Sequence, residues 1–215
     1  MQIQWLGHSC FRFTEKQLSV LTDPFNKDIG LRPPKIKEEI VLVTHDHYDH
    51  SEIKDAPSTA VIINGPGEYE TQGVYVRGIF SYHDNLKGVE RGLNTIYVFK
   101  VAGMTFCHLG DLGQLELDED QVEAIGDVDV LFVPVGGVYT IDGKEATKII
   151  AQIEPKIIVP MHYKVKDLKI DLEGPEKFLK EIGLAAEKVD KFSVNKNSLP
   201  QEEMQLIQFD LWEKL

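Results

Sequence analysis

Apolar side chains recur at every second position through the first hundred residues, and that period predicts strands. Ile3, Trp5, Phe11, Phe13, Leu18 and Val20 mark a hairpin over residues 2–22, with Thr14-Glu15-Lys16-Gln17 as its polar turn. Pro24 ends the run, and Pro33-Pro34 marks a loop before the next segment. Further strands are predicted at 40–44, 59–63, 73–79, 94–101 and 104–108, the last two joined through Ala102-Gly103. Gly65-Pro66-Gly67-Glu68-Tyr69-Glu70 reads as a rigid turn that could wall a pocket.

Beyond residue 110 helices and strands alternate. Asp118 can cap a helix running to about Ile125, and the acidic patch at 116–120 suits its positive end. Residues 142–153 place Ala146, Ile149, Ile150 and Ile153 on one helical stripe. Residues 175–182 form a helix stopped by Gly183. The apolar runs 129–135 and 156–160 read as buried strands, and 204–211 as a closing strand. A strand-rich first half and a strand–helix second half, with no linker between them, predict one α/β domain over 1–215. Two sheets packed face to face with helices outside would cover every apolar face.

Composition changes this picture little. The 215 residues are 42% hydrophobic and 27% charged, an ordinary globular balance. Net charge is −12, which repels phosphate backbones and disfavours nucleic acid as a partner. No apolar run approaches membrane-spanning length, and the first residues read as a strand rather than a signal peptide. Cys10 and Cys107 are too few for a disulfide framework and suit core packing as free thiols. A cytoplasmic location is expected on that basis. Homo-oligomerisation is left open.

Candidate chemistry is concentrated in Thr44-His45-Asp46-His47-Tyr48-Asp49-His50, directly after the apolar run Ile40-Val41-Leu42-Val43. Imidazole is the usual ligand of zinc-like ions, and a carboxylate adds a hard oxygen donor. His45 and His47 can pinch one ion while Asp49 and His50 lean toward a second, which predicts a two-metal site. His83, His108 with Asp111, and His162 each follow a predicted strand. In α/β folds ligands gather beyond the carboxyl ends of strands, so these distant loops are expected to share one rim. Gly110 and Gly113 flank Asp111, and Gly136-Gly137-Val138-Tyr139 follows a buried strand that could approach the same rim. His108 is expected to be structural or supporting. Tyr163 and Lys164, next to His162, are candidates to offer a hydroxyl and an ammonium to substrate.

His45-Asp46-His47-Tyr48-Asp49-His50 resembles the His-x-His-x-Asp-His signature of the metallo-β-lactamase superfamily. His83, Gly110-Asp111 and His162 follow in that family's order. Gly7-His8-Ser9-Cys10-Phe11 and Leu21-Thr22-Asp23-Pro24 look like its compact branch, which includes sugar-phosphate lactonases. The resemblance implies a four-layer αββα sandwich with the site along one sheet edge. It implies that His45, His47 and His83 hold one metal, that Asp49, His50 and His162 hold the other, and that Asp111 bridges them. Asp23 would brace the first ligand loop, and His8, in a matching position, would line the pocket mouth. The bulky insertions of the family's RNA-processing members have no room here.

The expected activity is hydrolysis of a small ester, lactone or phosphodiester by a metal-bridged hydroxide, with Asp49 as the catalytic carboxylate. Two divalent ions are the expected cofactors, zinc first and manganese or iron as alternatives. An iron-dependent oxidoreductase and a non-catalytic metal-stabilised module are the competing readings.

Overall fold

The computed structural model describes residues 1–211; residues 212–215, the end of the span expected to form one domain, lie outside the described residues. In chain order the strands are β1 (Gln2–Gly7), β2 (Cys10–Glu15), β3 (Leu18–Thr22), β4 (Ile40–Leu42), β5 (Val61–Ile63), β6 (Gly67–Thr71), β7 (Val74–Tyr82), β8 (Leu93–Val101) and β9 (Met104–His108). Then come α1 (Glu119–Ile125), β10 (Val130–Pro134), α2 (Gly143–Ile153), β11 (Ile157–Met161), α3 (Glu176–Ile182), β12 (Ala186–Val189), β13 (Phe192–Ser193) and β14 (Gln205–Phe209).

They build a mixed α/β fold of two sheets. The first runs β13-β1-β2-β3-β4-β5 and the second β12-β14-β11-β10-β9-β8-β7-β6. The second begins as an antiparallel meander, β6 to β9, and becomes parallel through β10, β11, β14 and β12. Period-two alternation in the first sheet separates two cores. Ile3, Trp5, Phe11, Phe13, Val20, Ile40, Leu42 and Ile63 face inward and join the main core with the second sheet and α2. Cys10, Leu21 and Val41 face outward, under Phe25, Ile29, Leu31, Leu168 and Leu172. Ile40-Val41-Leu42 is buried throughout because both of its faces are covered.

The helices end where their chemistry requires. Asp142 caps α2, accepting from the amides of Lys144 and Glu145 at 2.9 Å, while Glu145 Oε2 accepts from the Asp142 amide. Such a reciprocal cap contributes about 0.5–2 kcal/mol. The predicted stripe Ala146, Ile149, Ile150 and Ile153 is buried. Asp118 caps α1 in the same way with Gln121.

Two differences from the sequence expectation bear on the site. Residues 2–22 are three strands rather than one hairpin, because β1 and β2 are joined by a bulged turn at Gly7 and His8, both with positive φ. Gly65–Glu70 is no pocket wall: Gly67 onward is β6, paired with β7 at the edge of the second sheet. The outer face of the first sheet is covered by loops and a 3-10 turn at Lys27–Ile29, whereas the second sheet carries α2. Among the described residues no helix is long and apolar enough to cross a membrane.

Candidate metal centre

Loops leaving both sheets meet at one rim. The first sheet supplies the β1–β2 turn with His8, the end of β3 with Asp23, and the 45–50 loop after β4. The second sheet supplies His83 after β7, Asp111 after β9 and His162 after β11.

Asp23 organises the 45–50 loop and is fully buried. Its Oδ1 accepts from the Thr44 amide, and its Oδ2 accepts from the Thr44 hydroxyl, both at 2.8 Å. The same Oδ2 lies 3.0 Å from His50 Nδ1, and Thr44 Oγ1 lies 3.0 Å from His45 Nδ1. With the Thr44 hydroxyl donating to Asp23, His45 Nδ1–H donates to Thr44 and His50 Nδ1–H donates to Asp23. This network assigns both rings the tautomer whose Nε2 carries a lone pair. Both Nε2 atoms are buried and without a hydrogen-bond partner.

Asp111 Oδ2 sits among four imidazoles, 3.0 Å from His162 Nε2, 3.2 Å from His50 Nε2, 3.3 Å from His83 Nε2 and 4.0 Å from His45 Nε2. Its Oδ1 is buried and unpartnered. Burial alone would raise the Asp111 carboxyl, but the surrounding His162 and His50 hold it well below the ordinary carboxylate range. Burial would lower His50 too, yet Asp111 and Asp23 pull it well above the ordinary imidazole value. Burial pushes His45 well down and His83 down, while burial and His162 bring His8 to about 4. Burial opposes ionisation of Asp49, but the hydrogen bond with His8 and the nearby His50 keep its carboxyl below the ordinary range.

Three donor clusters result, each with ligand atoms within 4.8 Å of one another: His45, His47 and His83; His45, His50 and Asp111; and His8, Asp49, His50 and His162. The unpartnered Nε2 atoms of His45 and His50, beside the unpartnered Asp111 Oδ1, fit a divalent cation, which would take the place of a proton on His50. A buried set of this kind without positive charge would carry unpaired polar atoms, which fold energetics disfavour.

The sequence candidates divide accordingly. His45, His47, Asp49, His50, His83, Asp111 and His162 are brought together, and Asp23 stands behind them. His8 is fully buried against Asp49, not at the pocket mouth. Tyr163 is turned away from the rim: its ring packs on Trp5 at 5.1 Å, and its hydroxyl donates to the Phe209 carbonyl. His162 has a positive φ of 51°, and that backbone sends the next side chain into the core. Lys164 donates to the carbonyls of Leu168 and Ile170 at 2.8 Å, so it shapes a loop and does not face the cavity. His108 is supporting: Nε2–H donates to the Ser9 carbonyl, and Nδ1 accepts from the Gly110 amide.

Sequence reading gave no role to Asn94, whose Oδ1 accepts from the Asp111 amide at 3.0 Å while its amide group donates to Ser81 Oγ and the Leu109 carbonyl. It missed Asp84, whose carboxylate accepts from the amides of Leu86, Gly88, Glu90 and Arg91 at 2.8–2.9 Å. An Asp followed by a glycine-bearing polar loop was the available signal. The ligand atoms open into a cavity of about 570 Å³, whose outer wall includes Tyr48, Arg91, Tyr139, Lys169, Asp28 and Asp171.

The Beta-lactamase superfamily domain family matches residues 2–162. A metal-dependent hydrolase of Carboxydothermus hydrogenoformans is 31% identical over 192 residues, covering 76% of this chain and 84% of that one. A metal-dependent hydrolase of Thermoplasma acidophilum is 29% identical over 193 residues, covering 78% and 85%. The solved structure of a metallo-β-lactamase superfamily protein from Thermotoga maritima superposes with a TM-score of 0.79 at 35% identity, covering 97% of this chain and 98% of that chain.

Proposed function

The chain belongs to the metallo-β-lactamase superfamily, and from that premise we propose that it is a metal-dependent hydrolase of a small ester, lactone or phosphodiester, working with two divalent ions. The observation that carries the reading is the pair of donor clusters, one with His45, His47 and His83 and one with Asp49, His50 and His162, both of which reach Asp111 Oδ2. His45, His47 and His83 would hold one ion, and Asp49, His50 and His162 the other, with Asp111 between them. When bound, such ions acidify water toward neutrality and polarise a carbonyl or phosphoryl oxygen.

The residues of this chain do the rest. Asp23 and Thr44 fix the two buried imidazoles of the 45–50 loop in one tautomer and one orientation. Asp49 stays ionised and faces the cavity, so its carboxylate can orient the attacking water and take its proton before passing it to the leaving oxygen. The outer wall bears both signs of charge. Arg91 is held over the Tyr139 ring at 5.6 Å, and Lys169 stands on the same cavity with Asp28 and Asp171. That mixed wall suits a small polar substrate with acceptor and donor groups at its rim.

The test strips the protein with chelator, reloads it separately with zinc, manganese and iron, and assays lactones, phosphodiesters and esters. Metal-restored hydrolysis of one class is the expected result. Iron uptake with visible absorbance and no hydrolysis would replace this reading with oxidoreductase chemistry.

A further inference from the structure

His8 has so far been placed only as the hydrogen-bond partner of Asp49, yet its position is tightly constrained. Its ring is fully buried, and its backbone φ is 55°. A non-glycine residue in that region persists only where its surroundings dictate it. Here its carbonyl accepts from Trp5 Nε1 at 2.9 Å and from the His162 amide at 3.2 Å, and Gly7 before it has a φ of 112°. The turn thus aims the ring at the second donor cluster, 4.1 Å from the His162 ring and 4.9 Å from the His50 ring, centroid to centroid.

A buried histidine beside a ligand set can be a brace or a ligand. A brace sits on the far atom of a ligand, as Asp23 does on His50 Nδ1. His8 instead presents a ring nitrogen on the inner side, within 4.8 Å of the donor atoms of Asp49, His50 and His162. Donors 2.0–2.2 Å from a zinc-like ion lie about 3–3.6 Å apart at ordinary coordination angles. His8 Nε2 is 3.1 Å from Asp49 Oδ2, and the same oxygen is 3.6 Å from His50 Nε2, so both separations have that length. The other ring nitrogen, Nδ1, is buried with no partner, so the only hydrogen bond of the ring is on its inner side, to Asp49.

We propose that His8 is a ligand of the cation held by Asp49, His50 and His162, so that this ion has three imidazoles and a carboxylate. The inference rests on the two-ion reading and is tested by metal uptake rather than turnover. Chelator-stripped wild type, His8→Gly and His8→Asn are titrated with Co²⁺, following bound equivalents by dialysis and the visible d–d spectrum. Gly and Asn both tolerate the left-handed backbone. Circular dichroism of each metal-free protein establishes that it is folded.

The wild type is expected to bind two equivalents. Both variants should keep the first and bind the second at least tenfold more weakly with an altered spectrum. His8→Asn separates the two roles, because its amide can still hydrogen-bond Asp49 but supplies no imidazole. Two unweakened equivalents in His8→Asn would overturn the ligand role alone. A single equivalent in the wild type would overturn the two-ion reading and this inference with it. If the Gly variant does not fold, His8→Asn alone decides.

Discussion

Asp23 shows how one carboxylate can set the chemistry of several neighbours without meeting substrate. Its two oxygens hold the Thr44 amide and hydroxyl and the His50 ring, and through Thr44 they orient His45. Asp23→Asn keeps the shape but cannot accept at every contact, so metal affinity should fall about 10–100-fold with the fold retained. Competition with a chromogenic chelator measures it. Asp49→Asn should weaken the second ion, which loses its carboxylate ligand, while the first is kept, and cut turnover by orders of magnitude with the fold retained. Normal turnover in that variant would remove the proposed proton-handling role. The metal-site candidates were legible because imidazoles at strand ends are unusual. The positions of His8, Tyr163 and Lys164 were not, since each depends on left-handed backbone or on a long-range contact that local sequence does not encode.

At the level of elements, the ligands converge because backbone segments approach more closely than a side chain allows. A Cβ on Gly136 would strike the His162 carbonyl and lie 3.0 Å from Tyr163 Cα. Gly136→Ala should therefore displace the loop carrying His162, lower stability by about 1–3 kcal/mol and weaken cation binding. Thermal unfolding and metal titration read the two effects. The 84–92 loop depends on Asp84, whose four accepted amide hydrogen bonds fix the segment that presents Arg91. Asp84→Ala should loosen this wall and raise KM more than it lowers kcat. Buried elements were read well: α2 and its stripe follow from helical spacing, and β10 and β11 from unbroken apolar runs. β6, β12 and β13 escaped because they lie at sheet edges and have few buried positions. β13 has only two residues, too few to show any period.

Across the whole molecule, Asp129 is a clasp outside the candidate metal centre. Its carboxylate accepts from the Thr105 amide at 2.9 Å, from Lys156 Nζ at 2.7 Å and from Lys196 Nζ at 3.0 Å. It thereby ties the start of β10 to β9, β11 and the segment before β14. Burial would raise its carboxyl, but the Lys156 contact and the other donors win and hold it below its ordinary 3.8. A depressed folded value adds stability above the unfolded value, and that stability is lost as the pH falls through the folded one. Asp129→Asn should cost about 1–2 kcal/mol at neutral pH, a modest figure because both ammonium groups face solvent. It should also flatten the acid limb of the stability profile below about pH 4, as followed by denaturant unfolding at a series of pH values. The α/β class was readable from the change of period at residue 110, although the second sheet already begins with β6, before that change. The loop cover of the first sheet was not, because residues 23–37 carry little regular pattern.

His8, Asp23 and the 45–50 loop grow from one sheet, while His83, Asp111 and His162 grow from the other. A cation gripped by both groups is therefore a rivet through the sandwich. Prising the two layers apart must first dislodge it, so the melting temperature should climb with free metal concentration. Amide exchange should slow on both halves of the rim together, coupling chemical readiness to mechanical closure.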